Sequence, residues 1–142
     1  MMAIRSSCSI ACYSNNGVAK RLPKSVVAAI HESGIIGIRA GRKSDHRFIG
    51  VWPVVVGGRV FARSWKVSRG GWFETFQQDP LGTLQIGERQ LRVRAVRIKS
   101  ERIRDAVEDA YAEKYHTPAS MKYVRGFRTA RRRDTTTEFV PR

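Results

Sequence analysis

Three tryptophans, Trp52, Trp65 and Trp72, fall within 21 residues of one another in a chain of 142. Cations accompany them: Arg63 and Lys66 flank Trp65, Arg69 precedes the pair Trp72-Phe73, and Gly70-Gly71 lies directly before that pair. Indole rings offer flat apolar faces, and lysine or arginine beside them attracts negative charge, so the chemistry such a group can do is recognition of a planar anionic ligand. A lone tryptophan is more readily explained by core packing, and the weight therefore rests on the clustering. A second candidate is the turn Gly41-Arg42-Lys43-Ser44-Asp45-His46-Arg47. Lys43, Ser44 and Arg47 can converge there on one phosphate, helped by exposed backbone N–H groups, although a charged turn is also simply a solvated loop.

Protein-based catalysis has little to work with. No Ser/His/Asp or Cys/His set and no pair of carboxylates at useful spacing stands out, and His31, His46 and His116 are scattered. His46 sits beside Arg47, whose charge favours the neutral imidazole over a proton donor. Cys8 and Cys12, four apart, are at most half of a metal site, with no second pair to complete it. No metal is expected, and redox chemistry would have to come from a bound cofactor that the protein orients.

Composition bounds the rest. With 27 Lys+Arg against 12 Asp+Glu the formal charge is 27 − 12 = +15, which points to an anionic partner. A hydrophobic content of 42% describes a globular chain. No apolar run approaches the ~20 residues of a membrane-spanning helix, so a membrane partner is not expected. With no disulfide framework, the cytoplasm is the default compartment. Residues 1–20 read as a flexible extension, and 21–142 as one domain ending in a basic segment.

The elements that must position the candidates are mostly β. A helix starts near Pro23, carries Val26, Val27 and Ile30 on one face, and stops at Gly34. Strands follow at Ile35–Ala40 and Arg47–Val56. Gly57-Gly58 makes a tight hairpin that returns Arg59–Ser64 antiparallel and brings residues 52–54 opposite 61–63. A short helix over Trp72–Gln78 closes at Asp79-Pro80. Leu81–Ile86 and Arg89–Ile98 form another hairpin, and within the second strand the apolar phase shifts from Leu91, Val93, Ala95 to Val96, Ile98, which predicts a bulge. Ser100 caps a helix running to about Tyr115, Thr117-Pro118 opens another, and Thr135–Val140 is a terminal strand. The fold class is mainly β (α+β): antiparallel hairpins in a closed or split barrel with flanking helices.

From about Leu22 to Ile98, and on through the helix ending at Tyr115, the chain resembles an uncharacterised bacterial family of the split β-barrel flavin-binding superfamily. Its relatives include deazaflavin-dependent nitroreductases and pyridoxamine-phosphate-oxidase-like proteins. The order and spacing of several segments carry the resemblance: Lys43, Ser44 and Arg47; Val51-Trp52-Pro53-Val54-Val55; Gly57-Gly58; Val60-Phe61-Ala62-Arg63-Ser64; and Gly70-Gly71-Trp72-Phe73 leading to Gln78-Asp79-Pro80. The resemblance implies a mixed-topology, six-stranded split barrel, often a homodimer, with a groove for FMN or a deazaflavin and oxidoreductase activity. By the same analogy Lys43, Ser44 and Arg47 bind the cofactor phosphate; Trp52, which the hairpin brings near Arg63, is a further cofactor-binding candidate. Arg63, Ser64 and Trp65 border the ring or its side chain, and Trp72-Phe73 covers it. Asp45 departs from the glycine found in many relatives and sets a carboxylate beside the proposed phosphate.

Two other readings stay open. The same barrel can serve as a cofactor-free binding or structural module. Alternatively, Lys122, Arg125, Arg128, Arg131, Arg132 and Arg133 can hold nucleic acid non-specifically. The plainer account of that basic segment is that it neutralises Glu101, Asp105, Glu108, Asp109 and Glu113 on the preceding helix.

Overall fold

The computed structural model describes residues 21–43 and 46–142. The expected extension 1–20, with Cys8 and Cys12, and the turn residues Ser44 and Asp45 lie outside them. Helix α1 (Lys24–Glu32) leads into β1 (Ile36–Ala40), β2 (Ile49–Val51), β3 (Val54–Val56) and β4 (Arg59–Ala62). Next come α2 (Trp72–Gln78) and the hairpin of β5 (Leu81–Ile86) and β6 (Arg89–Arg97). Helices α3 (Glu101–Lys114) and α4 (Pro118–Gly126), the single turn α5 (Ala130–Arg133) and strand β7 (Thr137–Pro141) complete the chain.

All seven strands share one sheet in the order β2-β1-β5-β6-β7-β4-β3. Strands β2 and β3 are separated only by Trp52-Pro53, yet they stand at opposite ends of that order. In a flat sheet the two edges would be roughly 29 Å apart at the usual strand spacing. The linker from Val51 to Val54 spans at most about 11 Å. The sheet must therefore curl until its edges meet, and the barrel closes through Trp52-Pro53. The segment expected as one strand, Arg47–Val56, is interrupted there because Pro53 has no N–H to give a ladder. Counted as one bent strand it makes the expected six; counted by pairing, seven. Every strand pair is antiparallel. This corrects the mixed topology that the resemblance implied: each neighbour is reached by a hairpin or by a connection that reverses direction.

The hairpin register is the one counted outward from its turn. Val54 pairs with Phe61 and Val56 with Arg59, and Gly57 and Gly58 have φ of 57° and 76°, a region that side chains with a Cβ seldom enter. The bulge expected in β6 is absent. Its pairing with β5 and β7 runs without a slip from Arg89 to Arg97. Val96 is simply exposed on the outer face, while Ile98, one residue past the strand, is buried among Val54, Phe61, Val107 and Tyr111. Pro23 stands one position before the helix expected to begin at it, as the cap of α1.

Two cores result. Inside the barrel, Ile36, Ile38, Val60, Leu84, Val93 and Phe139 meet Val26 and Ile30 of α1 and Trp72 and Phe76 of α2. On the outer side of β3 and β4, Val54 and Phe61 pack against Val107 and Tyr111 of α3 and Val124 and Phe127 of the α4 region. Helix starts are set locally: Ser100 Oγ accepts from Ile103 N at 3.3 Å, and Thr117 Oγ1 accepts from Ser120 N at 3.3 Å.

Candidate functional site

A cavity of about 480 Å³ opens where the barrel closes. Three elements bring its tryptophans together: Trp52 from the bend between β2 and β3, Trp65 from the loop after β4, and Trp72 from the first position of α2. Ile49 to Val51 form one edge, Arg63, Ser64 and Lys66 the floor and rim, and Tyr123 and Phe127 the remaining wall.

The walls are held by aromatic contacts. Trp52 stacks on Tyr115 with ring centroids 4.5 Å apart and meets Tyr123 edge-on at 5.5 Å. Trp65 meets Tyr123 and Phe127 edge-on at 5.2 and 5.5 Å. The guanidinium of Arg132 lies 3.8 Å from the Trp65 ring centroid, and its Nε donates to the Trp65 carbonyl at 2.8 Å. Trp65 can sit this close to α4 only because residue 126 is glycine: a Cβ there would fall 2.5 Å from the ring. Such geometries fix side chains that would otherwise sample several rotamers.

Beneath the cavity the strands splay. The Tyr111 hydroxyl accepts the Arg63 backbone N–H at 2.9 Å and donates to the Trp52 carbonyl at 2.7 Å. Burial pushes the Tyr111 phenol well above its ordinary pKa, so it stays a donor. Arg63 is 1% exposed. Four of its five N–H groups are taken: Nε by Thr136 Oγ1 at 2.8 Å, Nη1 by Glu108 Oε1 at 3.3 Å and the Phe127 carbonyl at 2.9 Å, and Nη2 by the Arg104 carbonyl at 2.9 Å. Burial pushes its guanidinium down, while Glu108 and Tyr111 pull it back. Ser64 is committed as well, its N–H to Thr135 Oγ1 at 2.8 Å and its hydroxyl to the Lys66 carbonyl at 2.6 Å. Among the lining residues there is no carboxylate, histidine or cysteine. The side-chain polar groups left at the cavity are the Lys66 ammonium, the Tyr123 hydroxyl, the indole N–H groups of the three tryptophans and one N–H of Arg63, which can bind and orient but do not form a nucleophile–base pair.

Of the residues singled out in the sequence, Trp52, Arg63, Ser64, Trp65 and Trp72 line this one cavity. Phe73 lines a neighbouring cavity instead, together with Lys66, Arg69 and Arg131. Lys43 and Arg47 are exposed on the loop between β1 and β2 and line none of the described cavities. That loop is tied down by its neighbour Arg42, whose N–H donates to Asp79 Oδ2 at 2.8 Å. Ser44 lies outside the described residues.

Sequence reasoning missed Tyr123 and Phe127. Their four-residue spacing at the end of a helix is legible, but they lie within the run of cations, which masks it. That run divides. Arg133 reaches Glu101, Asp105 and Glu108 at 2.6, 2.9 and 2.7 Å, as the neutralising account expects. Arg132 holds Trp65, and Lys122, Arg125, Arg128 and Arg131 are exposed. Among the described residues no His, Cys, Asp and Glu cluster fits a metal, and no helix is long and apolar enough to cross a membrane.

A family profile described as "Uncharacterized protein conserved in bacteria (DUF2255)" matches residues 26–139. No protein of curated function matches the sequence. Among solved structures, the fold is similar to conserved hypothetical protein Rv2991 from Mycobacterium tuberculosis, with TM-score 0.57 and 11% identity over 87% of this chain and 81% of that one. It is also similar to an F420-H2 dependent reductase, FDR-A, with TM-score 0.51 and 18% identity over 75% of this chain and 93% of that one. At these identities the likeness is one of fold, and the fold is the split barrel.

Proposed function

We propose that this chain, which belongs to the bacterial family DUF2255, binds a planar anionic cofactor of the flavin or deazaflavin class in the tryptophan-lined cavity and acts as an oxidoreductase. The observation that carries this reading is the convergence of Trp52, Trp65 and Trp72 on one cavity of about 480 Å³. That size is within the roughly 300–1,000 Å³ usual for small-molecule sites.

The residues fit such a group. The walls are aromatic and apolar, the rim carries Lys66, and no carboxylate of the lining opposes an anion. Trp65 and Trp72 would border the ring and Lys66 would face its negative charge. Arg63, with four of its five side-chain donors already taken, would hold the floor in place. The bound group would supply hydride-transfer chemistry. The lack of a nucleophile–base pair among the lining residues agrees with that division of labour, and the fold likeness to an F420-H2 dependent reductase adds to it.

Titration of the purified protein with FMN, riboflavin and a deazaflavin, followed by tryptophan fluorescence, tests the proposal. Saturable quenching by one of them, weakened at least tenfold in Trp65→Ala, is expected. No quenching by any would leave the barrel as a binding or structural module and overturn the cofactor reading.

A further inference from the structure

The second cavity, of about 470 Å³, adjoins the first: Lys66 lines both, and the consecutive residues Trp72 and Phe73 face one each. Its character is different. Lys66, Arg69 and Arg131 converge on it from the loop after β4 and from α5, with Ser68 and Gln77 as further polar groups. Among the described residues none of these three cations has a carboxylate within ion-pair distance, whereas Arg132 and Arg133 of the same turn are both committed. The one carboxylate in the lining, Glu74, accepts the Gly70 N–H at 3.0 Å. Three cations against one carboxylate leave the cavity positive. Holding like charges together without a partner is unfavourable, and an anion relieves that cost.

We infer that this second cavity is the anion subsite of the same ligand, taking a phosphate or carboxylate chain that runs from the ring past Lys66. The inference rests on the ring-binding reading above and relocates the anion. Lys66, Arg69 and Arg131 hold it in place of Lys43 and Arg47, which the fold leaves on an exposed loop outside both cavities. Ring and chain are then recognised by different physics: stacking in one cavity, charge in the next.

The test compares ligands with and without the chain: FMN against riboflavin, and a deazaflavin bearing its phosphodiester-linked glutamate tail against the same chromophore cut back to its ribityl chain. In the intact protein the tailed member of at least one pair binds at least tenfold tighter. In the Arg69→Gln/Arg131→Gln double variant that advantage falls to about onefold while the tail-less affinity is unchanged. In Lys43→Gln/Arg47→Gln the advantage persists. Which pair shows it separates a terminal phosphate from a longer phosphodiester-linked carboxylate tail. An advantage that survives loss of Arg69 and Arg131 overturns the inference and leaves the ring reading intact. If no ring binds, tripolyphosphate decides. A thermal shift at low salt that is lost in Arg69→Gln/Arg131→Gln keeps the anion site while the ring reading falls, and no shift overturns both.

Discussion

The Trp52 carbonyl and the Arg63 backbone N–H do not bond to each other, although the β3–β4 register extended by two residues would pair them. The Tyr111 hydroxyl sits between them instead, 2.9 Å from one and 2.7 Å from the other. A side chain from α3 thus replaces a rung of the sheet at the point where the strands part to open the cavity. The site is built on that substitution.

Tyr111→Phe removes the bridge and little else. The buried Arg63 N–H and the half-buried Trp52 carbonyl lose their partner, and the first of these losses costs about 1–3 kcal/mol where water cannot enter. A loss of about 2 kcal/mol in denaturant unfolding is therefore expected, with weaker ring binding because Trp52 is no longer anchored. Unchanged stability would show that the two strands close into a direct bond.

Gly126→Ala sets two effects against each other. Alanine gains up to ~1 kcal/mol of helix propensity, but its Cβ would fall 2.5 Å from the Trp65 ring. Overpacking of this kind typically costs about 1–3 kcal/mol, so the clash wins. The expected result is a net loss of about 1 kcal/mol, a red-shifted tryptophan emission as Trp65 swings outward, and loss of ring affinity. In a Trp65→Ala background the same change should stabilise the protein, and thermal melts of the four proteins of the cycle check it.

Arg63→Met should cost about 3–5 kcal/mol, the usual result of breaking a buried charged network. The carbonyls of Phe127 and Arg104 lose their donor, while Glu108 keeps Arg133 at 2.7 Å. Lysine should not rescue it, since an ammonium cannot reproduce four separate contacts from one planar fork. Chemical denaturation of both variants is the measurement.

Lys114 donates to the Ile30 and Pro53 carbonyls at 3.2 and 2.9 Å, and burial lowers its pKa to about 8. Its unfolded value is about 10.4. Between those values the unfolded chain holds a proton that the folded one has released, so stability from this group rises with pH through that window and is flat below it. The melting temperature of the parent minus that of Lys114→Gln should increase from pH 7 to pH 10. A constant difference would show that the ammonium is held without penalty.

Residue types and short spacings were sufficient for the local devices. Gly57-Gly58 set the hairpin register, Ser100 and Thr117 set two helix starts, and Asp79-Pro80 ended α2. These depend on φ preferences and side-chain reach within about four residues, which a linear reading sees. The clustering of three tryptophans also survived folding as one cavity.

Tertiary structure alone decided which charges remain available. Arg63 and Arg69 look alike in the sequence, yet Arg63 is spent on partners 41 to 73 residues away while Arg69 makes no ion pair among the described residues. Likewise only closure of the sheet, with β2 and β3 at its two edges, brings Trp52 against Tyr123 and Phe127. A charge is neutralised, and a wall completed, by whatever long-range packing delivers, and no residue's neighbours in sequence report on that.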